Sequence, residues 1–129
     1  MNSELRNKQF GFKRFLRSFT NSLSGLKYAY LHEQSMFIHT LASIVTIFLG
    51  IIFKISHTEA IILASLLCFV AVIELFNSAI EAVCDAVTLE KNPLIKISKD
   101  TASGAVFLAS IVTLIISLVI FIPKIMAFI

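Results

Sequence analysis

Charge is what this sequence has least of. Only 15% of its residues are Asp, Glu, Lys or Arg, against about 25% in an ordinary soluble domain. Apolar residues make up 57% of the 129, and the mean hydropathy is +0.90. That balance excludes a soluble globular fold and implies an integral membrane protein, of a size for one domain over residues 1–129. The net charge of +3 is too small to point to nucleic acid. Cysteine is nearly absent as well. Cys68 and Cys84 fall on one predicted helix about 24 Å apart, which excludes a bridge between them and leaves two small apolar helix residues. No apolar run opens the chain. The first begins at Phe37, too late for a secretory leader, and none is expected. Strict apolar–polar alternation is also missing, so any segment that crosses lipid must do so as a helix.

What is present is three apolar stretches, at 36–53, 60–87 and 101–122. Each approaches or exceeds the roughly 20 residues that cross a hydrocarbon core. Ser56-His57-Thr58-Glu59 has the spacing of a capping box for the second span. Asn92-Pro93 separates the second from the third, and Pro123 is expected to close the third. Ahead of them, over residues 10–31, Phe12, Phe15, Leu16, Phe19, Leu23, Leu26 and Tyr30 recur at helical spacing. Lys13, Arg14, Arg17, Asn21 and Lys27 fill the places between. An apolar stripe with a basic face predicts an amphipathic helix lying in the membrane interface.

Lysine and arginine set the orientation. Six of the eleven (Arg6, Lys8, Lys13, Arg14, Arg17 and Lys27) precede the first span. Lys54 lies between spans one and two, Lys91, Lys96 and Lys99 between two and three, and Lys124 after the last. The alternation predicts a multi-pass protein of the cell membrane with its N-terminus and second loop in the cytoplasm.

The scarce acids are concentrated. The second span ends in IELFNSAIEAVCD, residues 73–85, which carries Glu74, Glu81 and Asp85. At 100° per residue Glu74, Ser78, Glu81 and Asp85 fall within about 60° of one another, with Asn77 flanking. Glu33 precedes the first span and Lys99-Asp100 open the third, so ionisable residues of all three helices converge on the cytoplasmic interface. Acids at membrane depth default to a functional role, and Glu74 has no basic residue near it in sequence. Like carboxylates one turn apart repel, so a proton or a cation is required among them. Oxygen donors without a cysteine or histidine cluster suit a hard cation, Mg²⁺ above all. A carboxylate-held Mg²⁺ beside a lysine is the chemistry of bound triphosphate. The soluble signatures of that chemistry are absent, with no G-x-x-x-x-G-K-(S/T) and no HRD or DFG. The residues alone leave metal-assisted chemistry at the inner interface and cation transport both open.

A resemblance favours the first. Glu74-Leu75-Phe76-Asn77-Ser78-Ala79-Ile80-Glu81 followed by Asp85 resembles the E-x-x-N-(S/T)-A-I-E-x-x-x-D signature of the small prokaryotic lipid kinases, diacylglycerol kinase and undecaprenol kinase. Gly25-Leu26-x-x-Ala29-x-x-x-Glu33 is similar to their N-terminal element. Lys99-Asp100-x-Ala102-x-Gly104-Ala105-Val106 is similar to their third-helix opening, and the match covers nearly the whole chain. The resemblance implies an all-α homotrimeric bundle of three membrane helices and a surface helix per subunit, with active sites shared between subunits. It implies ATP as co-substrate, Mg²⁺ as cofactor and a membrane lipid alcohol as acceptor. By position, Glu74 would be the base, and Glu33 and Glu81 would hold Mg²⁺ with the nucleotide. Lys99 and Asp100 would bind ATP, with Asn77 and Asp85 supporting. Arg14 would touch nucleotide or lipid headgroup, and Glu90 to Asn92 would border the nucleotide. The run from Ala102 to Val106, with Ile120 to Lys124, leans to the undecaprenol kinase branch, with diacylglycerol the alternative substrate. A small oligomeric cation or proton transporter with Glu74 and Glu81 as relay is the rival of a different class. Residues 60–73 count against it, because Ser65 is their only polar interruption.

Overall fold

The computed structural model describes residues 11–129. Residue 10, Arg6 and Lys8 lie outside the described residues. Four helices follow one another: α1 (Phe12–His32), α2 (Gln34–Ile52), α3 (His57–Val87) and α4 (Pro93–Phe128), with no strand among the described residues. The last three are each long and apolar enough to cross a membrane, the three-span architecture expected. α1 leaves Phe12, Phe15, Phe19 and Leu23 uncovered and buries only Ala29. Its apolar stripe is therefore turned away from the rest of the chain, as suits a helix lying in an interface.

The joints are tighter than the sequence implies. A single residue, Glu33, caps both α1 and α2 in extended conformation, its N–H bonded to Ala29 O at 2.9 Å. At the start of α3 the expected capping box is present. Ser56 Oγ accepts from Glu59 N at 3.3 Å, and Glu59 Oε2 accepts from Ser56 N at 2.7 Å. Between α2 and α3 the Ile55 N–H reaches Gly50 O at 3.1 Å and the Lys54 N–H reaches Ile51 O at 3.3 Å. This is the double bond pattern of a Schellman motif, with Ile55 packed on the helix it terminates. A Cβ at Gly50 would sit 2.9 Å from Ile55 Cδ1, so the turn closes on a position without a side chain. Lys54 occupies the left-handed position with φ 49°, where glycine is usual.

α4 departs from expectation at both ends. It starts at Pro93 rather than near Thr101, because Asn92 accepts from Leu94 N at 2.9 Å and from Ile95 N at 3.4 Å while proline fits the first turn. Nor does Pro123 close it: the helix runs through to Phe128. The proline removes only the N–H that would meet Val119 O. Packing on both sides of it holds the continuation. Phe53 stands edge-to-face against Phe121 and Phe128, and Lys124 Nζ pairs with Glu59 at 3.0 Å.

α3 and α4 pair most extensively, as an antiparallel hairpin. The buried apolar side chains of the two helices are Leu63, Val70 and Cys84 of α3 and Ala102, Val106, Ala109 and Phe121 of α4. Ion pairs close it at both ends, Glu59–Lys124 at one and Asp85–Lys99 at the other. At 1.5 Å per residue the two helices are about 46 and 54 Å long, well beyond a hydrocarbon core of about 30 Å. Both helices are therefore long enough to extend past the lipid core.

The left-handed lysine generates a test. Lys54→Gly relieves backbone strain of about 1 kcal/mol without touching a contact. The thermal midpoint of the detergent-solubilised protein should rise. An unchanged or lower midpoint would show that the Lys54 conformation is not strained.

Candidate active site

The site is built on α3, near the end where α1 crosses. Glu74 is the most deeply enclosed large side chain among the described residues, 1% exposed. Its neighbours one turn along, Asn77 and Ser78, are buried too. Helical periodicity alone puts these residues on one face. What buries them is the packing of α1, α2 and α4 around that face of α3.

Each polar atom on this face can be followed. Ser35 Oγ, in the first turn of α2, donates to Glu74 Oε1. Glu74 Oε2 is buried without a partner. Ser78 Oγ donates to the Glu74 carbonyl at 3.1 Å. Asn77 Nδ2 donates to Glu81 Oε1 at 3.0 Å, which leaves Asn77 Oδ1 buried and unpartnered. Glu33 sits at the α1–α2 joint, half-buried, and its carboxyl holds its proton to higher pH than usual. Burial is the main cause, and the charges of Glu81 and then Glu74 push in the same direction. Glu33, Glu74 and Glu81 thus form one electrostatic unit drawn from the α1–α2 joint and from α3.

Further along α3 the surroundings open. Asp85 is exposed and pairs with Lys99 Nζ at 2.5 Å, while Asp100 pairs with Lys96 at 2.5 Å. Lys99 and Asp100, adjacent in sequence, therefore have different partners. Asp85, Glu90, Asn92, Lys96, Lys99 and Asp100 line a cleft of about 700 Å³ around the α3–α4 turn. Glu90 is exposed there, its own N–H bonded to Thr88 Oγ1 at 3.0 Å. Asp85 stands three helical turns, about 16 Å, beyond Glu74. So the chain gathers the sequence-derived residues into two groups along one axis: Glu33, Glu74, Asn77 and Glu81 inside, and Asp85, Glu90, Lys99 and Asp100 outside.

Arg14 belongs to neither group. It is exposed near the start of α1, and its side chain makes no hydrogen bond or ion pair among the described residues. About 28 Å of helix separates it from Glu33. Ser35 is the residue that sequence reasoning missed. No motif points to it, and only the approach of α2 to α3 gives it a role.

Two cavities adjoin α3, neither lined by Glu33, Glu74 or Glu81 themselves. One, of about 410 Å³, lies between α1 and α3 and is lined by Gly25, Leu26, Ala29, Leu75, Ala79 and Ala82. Only Ser22, Tyr28 and Ser78 offer it polar atoms. A smaller one, of about 190 Å³, lies between α2, α3 and α4 beside His39, Ser43, Thr46, Thr113 and Ser117. Polar residues therefore reach deeper than residues 60–73 imply. The hydroxyls of Ser43, Thr46, Thr113 and Ser117, however, donate to carbonyls four residues back on their own helices at 2.8 Å, while Ser110 Oγ, also in the lining, is buried without a partner.

A buried carboxylate with one free oxygen, beside a second carboxylate pair and an open lysine-bearing cleft, can accept a proton at a dry position and hold an anion at a wet one. Comparison with known proteins gives the family. The sequence model of the prokaryotic diacylglycerol kinase family matches residues 20–121. The chain is 33% identical over 111 residues to the undecaprenol kinase of Bacillus subtilis, covering 86% of this chain and 90% of the relative. It is 36% identical over 101 residues to the diacylglycerol kinase of Pseudomonas aeruginosa, covering 78% and 82%. Against the diacylglycerol kinase of Escherichia coli K12 it is 30% identical over 111 residues, covering 86% and 91%. The match includes Gly25, Glu33, the whole stretch from Glu74 to Asp85, and Lys99-Asp100, and the chain belongs to the prokaryotic diacylglycerol kinase family, as a membrane lipid kinase.

Proposed function

We propose that the chain transfers the γ-phosphoryl group of ATP to the hydroxyl of a membrane polyprenol, undecaprenol in particular, with Glu74 as general base. The observation that carries this reading is the Glu74 carboxylate, buried at 1% exposure with Oε1 held by Ser35 and Oε2 without a partner. Such an oxygen can take the proton of a lipid hydroxyl as the alcohol oxygen bonds to the γ-phosphorus and ADP departs. The cleft between α1 and α3 suits the acceptor. A polyprenol is a bare alcohol on a hydrocarbon chain, and the lining supplies almost nothing but apolar surface. Diacylglycerol would bring two ester carbonyls into the same surroundings with few donors to meet them.

Mg²⁺ fits the donor set. Glu33 and Glu81 are carboxylates whose mutual repulsion a cation relieves, and Asn77 Oδ1 is an acceptor without a donor. Among the described residues no three acidic, histidine or cysteine side chains gather into a metal site. Magnesium is commonly held by one or two carboxylates with phosphate oxygens and water, which a Glu33–Glu81 pair supplies. Bound there, Mg²⁺ would neutralise the charge of the triphosphate. Lys99 and Asp100, with Asp85, Glu90 and Asn92, would hold the nucleotide along the outer cleft. Lysine-rich flanks favour a cytoplasmic position for this end of the bundle, where ATP is.

One chain leaves the site half-built. Arg14 is far from it, Glu81 is only half-covered, and most large apolar side chains of α2 and α4 are exposed. A homotrimer with composite sites would cover them, with Glu33 of one subunit serving Glu81 of the next.

The direct test is purified protein in mixed micelles, given labelled ATP with undecaprenol and diacylglycerol in parallel. Phosphate should enter undecaprenol faster, and preferential labelling of diacylglycerol would reassign the substrate. Glu74→Gln should lower turnover by about 10²–10⁴-fold while nucleotide binding persists. Near-normal turnover would eliminate the base.

Glu33→Ala and Glu81→Ala should each raise the Mg²⁺ concentration needed for half-maximal rate, and an unchanged requirement in both would remove the metal assignment. The pH dependence has a definite sign. The Glu33 pKa is raised by folding, so its contribution to stability is present at acid pH and is lost as the pH rises through the folded value. Metal-free wild type should therefore lose thermal stability relative to Glu33→Gln as the pH climbs through the carboxylate range. A pH-independent difference between the two would contradict the coupling.

Shared sites are tested by complementation. Inactive Glu33→Ala and Glu74→Gln subunits, dissociated and reassembled together, should regain a fraction of wild-type rate. Silence in verified mixed oligomers would show that each subunit owns a whole site.

A further inference from the structure

Most serine and threonine hydroxyls on the helices of this chain are spent on their own backbone. Thr40, Ser43, Thr46, Ser78, Ser98, Thr113 and Ser117 all donate to the carbonyl four residues earlier. Ser35 does not. It is the second residue of α2, and the residue four places back, Leu31, lies in α1 beyond the break at Glu33. The hydroxyl is thereby released from its own helix and reaches across 39 residues of sequence to Glu74 Oε1 on α3. It is the one side-chain donor to that carboxylate among the described residues.

We propose that Ser35 is a positioning residue for the phosphoryl transfer: it fixes one oxygen of Glu74 and so presents the other, Oε2, to the lipid hydroxyl. The proposal rests on the reading of Glu74 as the base. A glutamate has three rotatable bonds, and no other side chain among the described residues donates to this carboxylate. Without the Ser35 bond, the carboxylate would sample orientations in which neither oxygen faces the acceptor, so the catalytic step would slow while both substrates still bound. The break at Glu33 acquires a second use in this arrangement. It places Glu33 at the joint and frees the hydroxyl two residues on.

The test compares wild type, Ser35→Ala, Ser35→Thr and Glu74→Gln in mixed micelles, with kcat, both KM values and the thermal midpoint measured for each. Assayed well below its midpoint, Ser35→Ala should lower kcat by about 10-fold or more, the scale of one hydrogen bond to a charged group, with both KM values unmoved and the midpoint lowered by the loss of a buried donor. Ser35→Thr, which restores the donor, should recover most of the rate. Full rate in Ser35→Ala, a loss that appears in KM instead of kcat, or threonine no better than alanine would each overturn the role. The underlying reading fails separately. If wild type labels no lipid, or Glu74→Gln turns over normally, the base assignment falls and the Ser35 role with it. An active wild type, an inactive Glu74→Gln and a fast Ser35→Ala would sink Ser35 alone. Should Ser35→Ala not fold, Ser35→Cys, of similar shape and weaker as a donor, gives the same comparison.

Discussion

A carboxylate buried in a membrane helix is the constraint around which the rest of this structure is arranged. Placing an acid at the centre of a membrane span costs about 3 kcal/mol on insertion scales. Glu74 is shut away from both lipid and bulk water. That cost is tolerable only if neighbouring helices supply cover and at least one donor. Ala29 of α1, Met36 of α2 and Ala102 and Val106 of α4 are among the few buried apolar side chains at this end of the bundle, and Ser35 supplies the donor. Small residues such as Ala29 and Ala102 let helix backbones come close, which is how a thin bundle encloses a polar group at all.

The α3–α4 hairpin carries the polar residues outward from that point. It has an ion pair at each end and an apolar seam between, and both helices outrun the thickness of a bilayer core. Length converts one helical face into a gradient. Glu74 is dry, Glu81 is half-covered, and Asp85 is wet and paired with Lys99. In the proposed reaction the dry end would meet the lipid hydroxyl and the wet end the nucleotide, so the two substrates would approach one line of residues from different phases. Exposed pairs such as Lys96–Asp100 add little stability. Their place at the mouth of the cleft fits a pre-set charge pattern better than a brace.

The sequence by itself determined the class of molecule and most of its chemistry. Hydropathy and length required three membrane helices, since lipid leaves the backbone no other way across. The spacing of Glu74, Asn77, Ser78, Glu81 and Asp85 put them on one face before any coordinates were known, because a 3.6-residue period is local. Ser56 and Glu59 likewise spelled out their capping box. The ends of α4 were less legible. Pro93 starts the helix and Pro123 fails to stop it, because a proline costs one hydrogen bond and Phe53 and Glu59, remote in sequence, hold the turns on either side.

Only the tertiary structure decided which polar atoms meet. Lys99 turned to Asp85 rather than acting beside Asp100, which pairs with Lys96, because the antiparallel crossing of α3 and α4 puts Asp85 and Lys99 opposite each other. Ser35 reached Glu74 because a one-residue break released it from its own helix, and Arg14 stood apart because α1 runs away from the site. The physical reason is the same in each case. A helical face follows from positions along a single chain, whereas a contact between faces depends on where helices cross, and the crossing is set by the packing of many side chains at once.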